Sequence, residues 1–100
     1  MAPPLSDAEI EDRLAGAGEW RRSAAQDGGP SAIERDLKFD DFAAAMRFVD
    51  RVAELAEEAN HHPDILVHGW NKVRLTLSTH SQGGLTDADF RLAQRIEGLL

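Results

Sequence analysis

The chain has 100 residues, a net charge of −7 and no cysteine. Its length suits one domain with a modest core, and the missing thiols exclude a disulfide-stapled scaffold and thiolate zinc sites and suit a reducing cytoplasmic setting. The acidity argues against a nucleic-acid partner, and no apolar run approaches the ~18 residues that span a bilayer, so no membrane partner is expected.

Residues 1–5 read as a disordered tail; they lack a basic segment followed by a long apolar stretch, so no signal peptide is expected. Ser6 and Glu9 form a capping box for a short helix that carries Ile10 and Leu14 and ends at Gly16 or Gly18. A strand is predicted from Glu19 to Ala25, then a hairpin loop over Gln26–Pro30. Ile33, Leu37 and Phe39 share one parity and predict a half-buried strand, in which Arg35 breaks the alternation.

Asp40 and Asp41 open the longest helix, where two acids complement the helix dipole. Phe42, Ala45, Met46, Val49, Val52, Ala53 and Ala56 follow helical spacing, widened by Phe48, Leu55 and Ala59, so this stripe is expected to be buried against a sheet. Pro63 stops the helix and leaves His61 and His62 at its exit. Strands follow over Ile65–Trp70 and around Val73, Leu75 and Leu77. Ser81–Gly84 is a loop, and Thr86 with Asp89 forms a second capping box before a closing helix carrying Phe90, Leu92, Ala93, Ile96 and Leu99–Leu100. The order α-β-β-α-β-β-α predicts an α+β domain spanning 1–100, a four-stranded antiparallel sheet with three helices on one face.

Three of the four histidines fall in two short segments, His61-His62-Pro63 and Thr79-His80, with Glu57 upstream and Asp89 downstream. Histidine both gives and takes a proton near neutral pH, so the set points to proton-transfer chemistry. Glu57 and His61, like Glu58 and His62, stand four apart and pair if the helix reaches them. Asp89 is explained by capping alone, with a second role open beside it. His68 reads as a surface or interface residue, and Trp70 as a core or interface aromatic with a stacking role as the sharper alternative. A three-histidine metal site is disfavoured, because adjacent histidines rarely converge on one ion and no H-x-H or helical H-x-x-x-H pair is present.

Together these residues resemble the pterin-4a-carbinolamine dehydratase family. The family's pattern is an acid, three residues, a histidine, then His or Asn and usually Pro, an aromatic after five or six residues, a His or Trp after nine more, and an Asp some eight to fifteen residues later. Here it is filled by Glu57, His61-His62-Pro63, Trp70, His80 and Asp89. Phe39-Asp40-Asp41-Phe42, Val73 to His80 and Gly84-Leu85-Thr86 extend the likeness over roughly residues 15 to 98.

The resemblance implies dehydration of a 4a-hydroxytetrahydropterin to the quinonoid dihydropterin, in recycling of tetrahydrobiopterin, with no metal or organic cofactor. It implies His61 and His80 as the acid–base pair, His62 as a binding or orienting group and Glu57 and Asp89 as supporting acids. Asn60, Ser78, Thr79 and Ser81 match segments lining the family's substrate site, with Asn60 replacing a common Asp and Ser81 an acidic residue; Trp70 fills the aromatic position. It further implies a homodimer or homotetramer. Two other functions accompany the likeness: a protein-interaction role, since animal members serve as dimerisation cofactors of a homeodomain transcription factor, and related pterin chemistry in molybdenum-cofactor metabolism.

Overall fold

A computed structural model describes residues 3–24 and 31–100. The elements run α1 (Asp7–Ala15), β1 (Arg21–Ala24), β2 (Ser31–Lys38), α2 (Phe42–Ala59), β3 (Asp64–His68), β4 (Lys72–Leu77), a one-turn 3-10 helix (His80–Gln82) and α3 (Asp87–Glu97). The strands form one antiparallel sheet in the order β1-β2-β4-β3. The expected α+β architecture is present, with three helices and four antiparallel strands. The hairpin loop expected over Gln26–Pro30, and Ala25, lie outside the described residues.

Side chains alternate between the two faces of the sheet, and the faces differ in chemistry. Ile33, Val73, Leu75 and Leu77 point to one side and join a single core with Ile10 of α1, Ala45, Phe48 and Val52 of α2, and Leu92, Ala93 and Ile96 of α3. All three helices therefore cover the same face. Arg35 shares that parity, which explains the break in alternation. It lies at the core's margin, where its Nε donates to Glu97 at 2.7 Å and its guanidinium sits 3.4 Å from Glu19. The opposite face carries an ion-pair row in which Arg21 donates to Glu34 at 2.6 Å and to Asp36 at 2.7 Å, and Arg74 donates to Asp36 at 2.8 Å.

The long helix departs from expectation at three positions. Phe42 is 53% exposed, and Ala53 and Ala59 are also exposed, so the stripe is narrower than its sequence spacing implies. Ala45, Phe48, Val52 and Ala56 form the buried line, spaced three or four apart. Phe42 is the first helical residue, beyond the cover of the other elements. The helix also ends before Pro63 acts: Asn60 takes a left-handed conformation with φ 50° and closes it, its N–H donating to the carbonyl of Glu57 at 3.2 Å. Both capping boxes form as expected. The tail is held where it meets the core, since Leu5 N–H donates to the Leu85 carbonyl at 2.7 Å and the Leu5 side chain packs on the core. The last helix stops at Glu97, which leaves Leu100 largely exposed.

Asp36 provides a pH-dependent element of stability. Hydrogen bonds from Arg74 and then Arg21 lower its pKa from 3.8 to about 2. The folded protein thus binds this proton less tightly than the unfolded chain. The stabilisation is complete above the unfolded value and is lost as pH falls through the folded one. Urea denaturation is expected to show wild-type stability declining between pH 4 and 2 more steeply than that of Asp36→Asn; identical acid limbs would contradict the assignment.

Candidate active site

Three segments meet at the end of the sheet where α2 exits and α3 begins. Asp89 is at their centre, with a side chain that is 0% exposed. Its Oδ2 accepts the Thr86 backbone N–H at 2.9 Å, closing the capping box, and the Thr79 hydroxyl at 2.7 Å. Its Oδ1 faces His61 Nε2 at 2.6 Å. The two expectations for Asp89 therefore coexist, one on each oxygen. Thr79 has one hydroxyl proton and gives it to Asp89, so Thr86 Oγ1 is the donor across their 3.0 Å contact. Each polar group of this buried cluster is thereby paired, as burial requires.

The hydrogen bond to Asp89 sets the tautomer of His61. An ionised carboxylate can only accept, so Nε2–H is the donor, and Nδ1 is the ring nitrogen not engaged by the acid. The imidazole is 16% exposed. An acid holding one ring nitrogen while the other stays available is the arrangement that orients a histidine for proton transfer.

The pairing differs from the sequence expectation, which joined Glu57 to His61 and Glu58 to His62. His62 Nε2 contacts Glu57 instead, and Arg95 donates to Glu58 at 3.0 Å. The cause is the left-handed Asn60. It ends the helix one residue before His61, so the i, i+4 relation that a continuous helix maintains no longer applies. His61 is redirected toward α3, while His62 remains over the last helical turn and is largely exposed, as is Glu57.

His80 is exposed at the start of the 3-10 turn and adjoins Thr79, which links it to the Asp89 cluster through the backbone. A cavity of about 280 Å³ opens beside His61, lined also by Ala59, Ala88, Arg91, Leu92 and Arg95. His62 and His80 are outside that lining. Arg91 and Arg95 were not singled out in the sequence. They stand four apart on α3, a spacing that places both on one face, but only the docking of α3 on α2 brings that face to His61.

The other expected positions separate into structural and peripheral ones. The Ser78 hydroxyl donates to the Ser31 carbonyl at 2.9 Å and ties β4 to β2. Asn60 is the helix cap, and Ser81 is exposed in the 3-10 turn. Trp70 is at the tip of the β3–β4 hairpin, at the opposite end of the strands from His61, and is 62% exposed with φ 59°. With ~3.3 Å per strand residue, a gap on the order of 20 Å separates it from the His61-His62 turn of its own chain. No group of three or more His, Asp or Glu side chains among the described residues is placed to hold a metal ion. Another cavity, of about 480 Å³, lies around Trp20 and Phe90 and is lined by none of the histidines.

Replacing Asp89 by Ala is expected to lower stability by about 2–4 kcal/mol, since it removes a helix cap and strands two buried partners. Urea denaturation measures this. The ¹⁵N shifts of His61 are expected to report an Nε2–H tautomer in the wild type, and its loss in Asp89→Ala.

Comparison with known proteins bears on this geometry. The family model described as pterin 4 alpha carbinolamine dehydratase matches residues 3–99. A protein of Acidobacterium capsulatum provisionally named pterin-4-alpha-carbinolamine dehydratase is 50% identical over 96 residues, covering 96% of this chain and 97% of its own. One from Roseiflexus sp. with the same provisional name is 45% identical over 100 residues, with full coverage of both chains. Among solved structures, a transcriptional coactivator/pterin dehydratase from Brucella melitensis superimposes with a TM-score of 0.85 at 33% identity, covering 96% of this chain and 97% of that one. A pterin dehydratase-like protein identified as a RuBisCO assembly factor in the alpha-carboxysome gives 0.66 at 28% identity, covering 81% and 88%.

Proposed function

The chain belongs to the pterin-4a-carbinolamine dehydratase family, and on that premise we propose that it dehydrates a 4a-hydroxytetrahydropterin to the quinonoid dihydropterin. The observation that carries the proposal is the His61–Asp89 pair, a partly covered imidazole held by a fully buried carboxylate.

The reaction breaks the C4a–O bond. An acid protonates the departing hydroxyl so that it leaves as water, and a base removes a ring proton so that the remaining electrons form the new double bond. His61 and His80 are assigned to these two transfers. His61 is oriented by Asp89 with Nδ1 available, and His80 stands next to Thr79 of the same hydrogen-bonded cluster. His62, paired with Glu57 at the surface, is assigned to binding and orienting the pterin. Positioned acid–base groups of this kind contribute about two to four decades in rate. The physiological role assigned is tetrahydrobiopterin recycling in the cytoplasm, by a homo-oligomer that needs no metal.

A second reading comes from the solved relatives, whose names join pterin dehydratase to coactivator and assembly-factor roles. In that reading the fold serves as an interaction module. A stopped-flow dehydration assay on a synthetic 4a-carbinolamine separates the two. His61→Ala and His80→Ala are expected to lose on the order of 10²–10⁴ in kcat, while His62→Ala changes mainly KM. Full kcat in all three variants, with folding intact, would remove the catalytic reading and favour the interaction module.

A further inference from the structure

The outer face of the sheet carries a row of basic side chains. Lys38 of β2 pairs in register with Lys72 of β4, and Lys72 with His68 of β3. All three are exposed. Their neighbours in sequence, Leu37, Val73 and Val67, pack on the core, so the row points away from the helices. Opposite residues on adjacent strands lie about 5 Å apart, and like charges such as Lys38 and Lys72 repel at that separation. Lysines commonly guard the edge of a sheet. Here β2 and β4 are the two inner strands, so edge protection does not account for this pair.

The strand ends are held against splaying apart to relieve the repulsion. The Phe39 N–H donates to the Asn71 carbonyl at 2.8 Å, and the Asn71 side-chain amide donates to the Phe39 carbonyl at 2.9 Å. Asn71 is buried, which shields this double clamp from water. The clamp ties the residue after Lys38 to the residue before Lys72. The Lys72 stem lies against Gly69, where a Cβ would stand 3.5 Å from its Cδ.

A cavity of about 270 Å³ opens over the row, lined by Asp36, Leu37, Lys38, His68, Lys72 and Arg74. The acid in this lining, Asp36, is already engaged by Arg74 at 2.8 Å and by Arg21 at 2.7 Å. Among the described residues, no carboxylate forms an ion pair with Lys38, His68 or Lys72. The cations Lys38, Lys72 and Arg74 thus surround a single committed carboxylate, in a chain whose net charge is −7.

We infer that this cavity binds a phosphate group, as the free ion or as a phosphate monoester. The Lys38 and Lys72 ammonium groups divide its charge, and His68 adds a ring N–H. Two separate point charges suit a tetrahedral dianion. A carboxylate carries one charge and is best met by a planar guanidinium, and that of Arg74 is committed to Asp36. A nucleic-acid strand is excluded by the overall negative field, whereas one phosphate group samples the local row. The site is on the sheet face remote from the helices, at the end of β3 away from His61. It is separate from the candidate active site and goes beyond the dehydratase reading without resting on it.

The test titrates the full chain with inorganic phosphate and, separately, with glycerol phosphate, against sodium chloride of equal ionic strength. Amide NMR is expected to show saturable shifts at Lys38, His68 and Lys72 that chloride does not produce. By calorimetry, Lys38→Gln and Lys72→Gln are each expected to weaken binding on the order of tenfold. Arg51→Gln, which removes an exposed cation on α2, is expected to leave it unchanged. Both glutamine variants remove a repulsion from an exposed position, so circular dichroism is expected to show them folded. Binding of both compounds supports a phosphate carried on a larger molecule, and binding of inorganic phosphate alone supports the free ion. A response matched by chloride, undiminished affinity in both glutamine variants, or citrate bound as tightly as phosphate overturns the inference. A polyglutamate peptide that binds where neither phosphate compound does overturns it in favour of an acidic protein partner.

Discussion

A single buried carboxylate joins three segments that are distant in sequence. Asp89 closes the first turn of α3 through Thr86, holds the segment that follows β4 through Thr79, and faces the imidazole that leaves α2 at His61. A carboxylate without partners would be expensive at zero exposure, so the geometry is mutually dependent. The helix start, the strand end and the helix exit are each positioned by the same acid. Stability and site geometry are therefore coupled, because the hydrogen bonds that satisfy the buried charge are those that leave His61 with one ring nitrogen committed and the other available.

The sheet supplies the platform for this junction. One face is apolar and covered by three helices, and the other is crossed by the Arg21–Glu34–Asp36–Arg74 ion pairs. Exposed ion pairs of this kind contribute little each. The β3 edge differs from that face, with uncharged central residues between Asp64 and His68.

Much of the architecture was legible from local chemistry. The two capping boxes, Ser6 with Glu9 and Thr86 with Asp89, mark helix starts because a side-chain oxygen three residues from a second acceptor satisfies orphan N–H groups whatever the surroundings. The period-two pattern of β4 and the two consecutive pairs of strands led to the antiparallel sheet. The narrower stripe on α2 was not legible: Phe42, Ala53 and Ala59 have helical spacing, but which part of a helix is covered depends on how far its neighbours extend. Asn60 is a similar case. A proline three residues later announces a helix end, and only the left-handed conformation of Asn60 determines where the end falls and which way His61 turns.

The sequence by itself determined the ionisable types and their approximate stations: imidazoles at a helix exit and a strand end, an aspartate at a helix start, and a spacing shared with one family. These follow from local propensity and motif, which depend on near neighbours along the chain. Tertiary structure alone decided the partnerships. His61 joined Asp89 instead of Glu57, Glu57 took His62, Arg91 and Arg95 came to line the cavity at His61, and Trp70 was carried to the opposite end of the hairpin. Such contacts are set by the packing of α3 against α2 and by the antiparallel run of β3 and β4. A helix or strand places its side chains on a face, but the opposing face is supplied by another part of the chain.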